Sequence, residues 1–217
     1  MCERTSFVVV LALFALVIAG PGCAPNAFER AQRYERAGQY PQAEQVYQRI
    51  VTDQPGTDDA LNAQKQLTIL YIVSGREPEA QRALKDLIAV FPTHKDTAGA
   101  IWAIAREFEK AGNPQKALEL HRYNVEHFPK DKHAMWSQVE IIYYHIDTGD
   151  FTAGDADVDK LLKVFSTQPT LSKEIYQVAQ RYANAGKIEK ALPLHQYNAE
   201  HFPKNQYAMW SQAEIAA

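Results

Sequence analysis

The sequence predicts an all-α fold: a solenoid of about five helical hairpins followed by one unpaired helix. Three observations predict it. Glycines recur at Gly38, Gly75, Gly112, Gly149 and Gly186, each 37 residues after the last, and a fixed period of this length marks a repeat array. Five residues beyond each glycine stands a small residue, at Ala43, Ala80, Ala117, Gly154 and Ala191. Seventeen residues beyond it stand Pro55, Pro92, Pro129, Ser166 and Pro203, the fourth unit having its proline displaced to Pro169.

The first segment of the chain stands apart from the repeats. Residues 1–22 carry Arg4 and Glu3 in a short polar start, then the apolar run Phe7 to Ala19. That run is shorter than the ~20 residues a membrane-crossing helix needs, so it reads as an export signal. Gly20 and Gly22 lead into Cys23. Removal of the signal takes Cys2 with it and leaves Cys23 as the single thiol of an exported chain, which calls for an explanation. Residues 19–24 resemble a bacterial lipoprotein signal, in which a small residue precedes a lipidated Cys; Gly20 stands where that family usually has an aliphatic residue. The resemblance implies lipid attachment at Cys23, with 23–26 as a linker, and sorting to the outer membrane because Ala24 follows the Cys. An idle thiol at a frayed end is the plainer alternative.

Residues 27–217 form the array, with units near 27–56, 57–93, 94–130, 131–169 and 170–204 and a partial unit at 205–217. Within each unit a first helical run precedes the glycine. Ile101, Ile104, Ala105 and Phe108 illustrate it, spaced three and four apart on one face. The glycine ends that helix, because a residue just past a helix end often takes positive φ, which glycine does at no steric cost. A second amphipathic run follows, as at Ala117, Leu118, Leu120 and Val125, and the later Pro stops it for want of an N–H. The small residue five after the glycine allows close approach of the paired helices. The third and fifth units are the most alike: 23 of 41 positions match between residues 101–141 and 175–215, which suggests duplication of a two-hairpin block.

The partial unit, Asn205 to Ala217, repeats the start of a first helix with Met209, Trp210 and Ile215. A cap, a truncated gene and a dimer contact are equally open for it.

The series Ala31, Tyr34, Gly38, Tyr40, Ala43, Tyr47 and Pro55, repeated in register, resembles the tetratricopeptide repeat family, and the likeness runs from Ala27 to the C-terminus. It implies a right-handed solenoid of TPR-like hairpins. The period of 37 exceeds the usual 34, and together with a lipoprotein signal it is similar to bacterial envelope members of the family. Polar residues at His121, Asn124, His195 and Asn198 stand where the family's second helix is usually apolar or small.

The resemblance further implies a groove lined by the first helices. The family's register places Lys65, Ile69, Trp102, Arg106, Trp136, Tyr143 and Tyr176 there. Aromatic residues and Arg are the side chains that most often anchor protein interfaces; packing of Trp102 and Trp136 between helices is an equal alternative. The Lys and Asn set with which some relatives clamp a terminal carboxylate is absent.

Other chemistries lack their residues. With 46% hydrophobic and 23% charged residues the chain has globular composition, and a formal charge of −3 argues against nucleic acid as the partner. His121 and His127, echoed by His195 and His201, lie six residues apart, roughly 240° round a helix, whereas helical metal pairs sit three or four apart. Asp155, Asp157 and Asp159 imitate the opening of a calcium loop, but Lys160 and Ser166 occupy the positions that need Gly and Glu. No nucleophile elbow, phosphate loop, zincin helix or CxxC occurs. The expectation is therefore a non-enzymatic scaffold without metal or cofactor, facing the periplasm and holding a segment of another envelope protein. Self-assembly through the C-terminal helix is the alternative, followed by a small-molecule or cell-wall site at His121, Tyr123, Asn124, His195, Tyr197 and Asn198.

Overall fold

The computed structural model describes residues 26–216; the export signal and Cys23 lie outside the described residues. Among the described residues there are eleven helices and no strand: α1 (Ala27–Arg36), α2 (Tyr40–Asp53), α3 (Asp58–Val73), α4 (Glu77–Val90), α5 (Thr97–Lys110), α6 (Pro114–His127), α7 (Lys132–Asp147), α8 (Phe151–Val164), α9 (Leu171–Asn184), α10 (Ile188–His201) and α11 (Gln206–Ala216). Consecutive helices pack as antiparallel pairs from α1/α2 to α9/α10, and α11 has no second helix after it among the described residues.

The turns follow the predicted chemistry. Gly112 has φ +78°, so any residue with a Cβ is strained there although the space around it is open. Its N–H bonds the carbonyl of Glu109 at 2.9 Å and the N–H of Asn113 bonds that of Phe108 at 2.8 Å. These two bonds close a Schellman motif and satisfy carbonyls the helix end leaves free. The longer bond recurs in every hairpin, from Gln39 to Tyr34, Arg76 to Tyr71, Asp150 to His145 and Lys187 to Tyr182. The second helix then starts at once, and Pro41, Pro78 and Pro114 sit in the first turn of α2, α4 and α6, where no N–H is needed.

The first helices α3, α5, α7, α9 and α11 stack on one another in a single row, while the second helices lie further apart outside it. The tighter row is the concave side of the array. Between the rows the core is continuous: one cluster spans α1 to α6 and a second α6 to α10, and both draw on α6 through Leu120 and Leu118. Ile101, Ile104, Ile142 and Ile175 are fully buried in it, each contributing roughly 1.5–3 kcal/mol relative to exposure. The small residues at Ala43, Ala80, Ala117, Gly154 and Ala191 are all buried, as their role in close helix approach requires. Gly154 departs from Ala for a visible reason: a Cβ there would lie 2.8 Å from the hydroxyl of Tyr182, which reaches over α8 to donate to Asp155.

The polar residues of the duplicated block tie one hairpin to the next. Asn124 donates to the carbonyl of Ala98 at 2.9 Å and to Ser137 Oγ at 3.1 Å, and His121 Nδ1 lies 3.1 Å from the same hydroxyl. The set repeats with Asn198, Ser172, Ser211 and His195 at 3.0–3.1 Å. All of these side chains are buried, so their bonds offset a desolvation that would otherwise cost about 1–3 kcal/mol per group. Burial also pushes the His195 imidazole below its ordinary value, against the pull of Glu214, so the neutral ring is the form that packs.

Gly112→Val should destabilise the array by at least about 1 kcal/mol, because a β-branched residue is forced into positive φ. Thermal unfolding of the two proteins checks this; an unchanged midpoint would contradict the turn assignment.

Candidate partner-binding groove

The first helices place two aromatic triads along the concave row. Trp102 of α5 meets Trp136 of α7 with ring centroids 5.5 Å apart, and His133 stands edge-on to Trp136 at 4.9 Å. Seventy-four residues later Tyr176 of α9 meets Trp210 of α11 at 5.7 Å, with Tyr207 edge-on at 5.0 Å. His133 fits because position 99 has no side chain: a Cβ on Gly99 would come within 3.0 Å of its ring.

Four of the seven expected groove residues converge. Trp102, Arg106, Trp136 and Tyr143 line a cavity of about 350 Å³ together with Val139, Glu140, Lys173, Glu174 and Gln177, so α5, α7 and α9 all contribute. Arg106, Glu140 and Tyr143 also line an adjoining cavity of about 540 Å³ that runs to Asp147 and Arg181. Trp102 and Trp136 are half-buried, which makes them both packing residues and groove residues. The other three expected residues, also on first helices, do not line this cavity. Lys65 and Ile69 are on α3; Lys65 is held by Asn62 at 3.1 Å, with burial pushing its amine down, and Ile69 packs on the core. Tyr176 turns toward α11, and its hydroxyl lies within hydrogen-bond reach of Glu214 there and of Gln180 on its own helix.

Charges in the groove are mostly answered. Arg106 is paired with Glu140 and, at 3.3 Å, with Glu109, and it lies over the Trp102 ring at 5.7 Å. Lys132 lies 5.6 Å from the Trp136 ring and Arg181 4.9 Å from that of Tyr143, while Arg181 also pairs with Asp147. Burial, reinforced by Glu174 and Glu140, drives the Tyr143 phenol far above its ordinary value, so it stays neutral and can donate a hydrogen bond. Glu174 is the exception. It is 6% exposed, and burial pushes its carboxyl up; Lys173 and the Trp136 indole oppose that shift, whereas Glu140 adds to it.

Sequence reasoning missed Glu140, Lys173, Glu174 and Gln177. The signal for Glu174 was present in the register: the same position holds Ala63, Ala100, Ser137 and Ser211 in units two to four and the partial sixth, and only the fifth places a carboxylate there.

The remaining polar clusters are structural ties. Asp155 accepts from Tyr182 and pairs with Lys190, and Asp157 binds His145 at 2.8 Å and Gln138 at 3.0 Å. Asp58, His94 and Asp96 lie together on the surface, where Lys95 reaches Asp58 at 3.1 Å. His121, Asn124, His195 and Asn198 are buried between helices, as described above, rather than open to a ligand. Among the described residues no helix is long and apolar enough to cross a membrane.

No family profile and no curated protein matches the sequence. Among solved structures the chain is similar to a Podosopora anserina protein described as a kinesin light chain with nearly identical TPR-like repeats. The identity is 20%, the match covers 83% of this chain and 95% of that one, and the TM-score is 0.53. A single-substitution variant of that protein aligns at 20% identity over 83% and 94% of the chains, with a TM-score of 0.52. The likeness shows the fold: this is an all-α solenoid of tetratricopeptide-like hairpins, as the period and turn residues predict.

Glu174→Gln should raise the melting temperature at neutral pH. The sign follows from the raised carboxyl: its favourable contribution is complete below the unfolded value and is lost as pH rises through the folded one. Gln keeps the protonated shape without the buried charge, so its advantage should fade toward pH 4. Unfolding curves across pH check this; a variant less stable than the parent at pH 7 would show that the carboxylate is well solvated.

Proposed function

We propose that this chain is a non-enzymatic scaffold that holds an extended segment of another protein along the concave row of first helices. The observation that carries the reading is the convergence of Trp102, Arg106, Trp136 and Tyr143, from two successive hairpins, on one open cavity completed by a third. Aromatic rings beside Arg on a partly desolvated concave surface make effective anchors, and a row of parallel helices offers an extended peptide several such pockets in series.

Export supports an envelope setting for that partner. The apolar run at residues 7–19 and the Gly22–Cys23 junction favour a chain anchored by lipid at Cys23 on the periplasmic face of the outer membrane. One acyl chain binds a membrane only reversibly, so a stable anchor at Cys23 needs a second membrane signal. Self-assembly is the second reading, favoured by the exposure of Met209 (55%), Trp210 (48%) and Ile215 (38%) on α11; association that rises with protein concentration and is lost on Trp210→Ser would select it.

Two experiments test the main reading. A photoreactive residue placed in cells at Tyr143 or Gln177 should trap a discrete partner, and one at Glu126 on the exposed face of α6 should not; equal labelling from all three sites would defeat the groove. Fatty-acid labelling of the chain should be abolished by Cys23→Ser, and label that survives the substitution would remove the anchor.

A further inference from the structure

We propose that the cavity between α5, α7 and α9 is a pocket for the cationic side chain of a Lys or Arg in the bound segment, with Glu174 as its counter-charge. The inference rests on the groove reading and goes further, since it assigns the chemistry of one contact.

Three observations carry it. The first is position. In the first unit the register of Glu174 falls on the exposed N-cap Asn26; in units two to four and in the partial sixth it is held by Ala63, Ala100, Ser137 and Ser211, all buried between helices. There Ser137 and Ser211 are matched by Asn and His from the preceding second helix, whereas α8 offers Glu174 only the apolar Val158 and Leu161 at the corresponding positions. The packing between hairpins therefore has no use for a carboxylate at this site.

The second is the imbalance of charge. Arg106 already pairs with Glu140 and Glu109. Lys173 Nζ is 3.9 Å from Glu174, at the limit of an ion pair, and 45% of its side chain faces solvent. Adjacent residues on a helix diverge by about 100°, so Lys173 cannot close on its neighbour in good geometry. Glu174 thus remains a buried carboxylate answered only in part, by Lys173 at that distance and by the Trp136 indole, an arrangement that is costly unless a cation completes it.

The third is the wall of the cavity. Trp102, Trp136 and Tyr143 supply aromatic surface that suits the methylene stem of Lys or Arg as well as its charge. Each ring already has a cation of this chain within 6 Å, so the geometry for such contacts is in place. An anionic side chain in the same pocket would gain no free cation from Arg106, which Glu140 and Glu109 already pair, and would face the buried Glu174.

The test uses four blocked peptides of sequence Gly-Ser-X-Ser-Gly, with X as Arg, Lys, norleucine or Glu. The readout is the indole N–H resonances of the full chain, which has three tryptophans. The Arg and Lys peptides should move Trp102 and Trp136 saturably and leave Trp210 in place, and should bind roughly tenfold or more tightly than the norleucine peptide. Glu174→Gln should abolish that preference, and Glu174→Ser, which restores the residue of the neighbouring units, should do the same in a chain at least as stable. Peptides that all move Trp102 and Trp136 equally would overturn the cation pocket and leave the groove intact. If no peptide moves either resonance, the pocket and the groove fall together. A preference for Arg or Lys that persists in Glu174→Gln would assign the counter-charge to another residue and overturn the proposal.

Discussion

A helical hairpin of some thirty residues cannot bury both of its apolar faces within itself, and stacking against a neighbour is the only way to complete the burial. That constraint orders this molecule. Each first helix from α1 to α9 packs on its own partner, and α3, α5, α7, α9 and α11 pack on one another in succession. Small residues must therefore stand where helices come closest, and each turn must reverse the chain within three residues. The positive φ at Gly112 and its counterparts meets the second demand, and Ala117 and its counterparts meet the first.

The same constraint produces the proposed binding surface. Because the first helices form the tighter row, their outward side chains crowd together, and residues from three hairpins reach one cavity. The second helices stand further apart and leave a broader gap, seen in the cavity of about 870 Å³ between α4 and α6. Aromatic side chains on the inner row both fill space between helices and face the groove, so stability and recognition share Trp102 and Trp136. Glu174 separates the two roles: burial raises its carboxyl, and its side chain adds an acidic group to the groove. A residue that lowers stability without helping the fold is the kind that binding sites retain.

The fold was legible because its determinants are local and periodic. Glycine at a fixed interval, a small residue five positions on and a proline after the second helix each act within a single hairpin, so one sequence suffices to read them. The groove was legible in part. Trp102, Arg106, Trp136 and Tyr143 follow from counting back along a helix, and the same count puts Lys65 and Tyr176 in the register of Trp102 and Ile69 in that of Arg106 and Tyr143. What the count does not give is which positions share a cavity: Ile69 packs on the core and Tyr176 against Trp210 of α11. Asn124 and His121 looked out of place in the sequence because their partners, Ser137 and the carbonyl of Ala98, lie on helices before and after their own.

The central claim is that the concave row of first helices, and not the outer helices or α11, receives the partner. Hydroxyl-radical footprinting of the chain alone and in the complex isolated from cells tests it directly, since Trp and Tyr report solvent access side chain by side chain. The account predicts that Trp102, Trp136 and Tyr143 lose reactivity on complex formation while Tyr40 and Trp210 keep theirs. Protection of Trp210 with Trp102 and Trp136 unchanged would contradict it and would place the contact on α11.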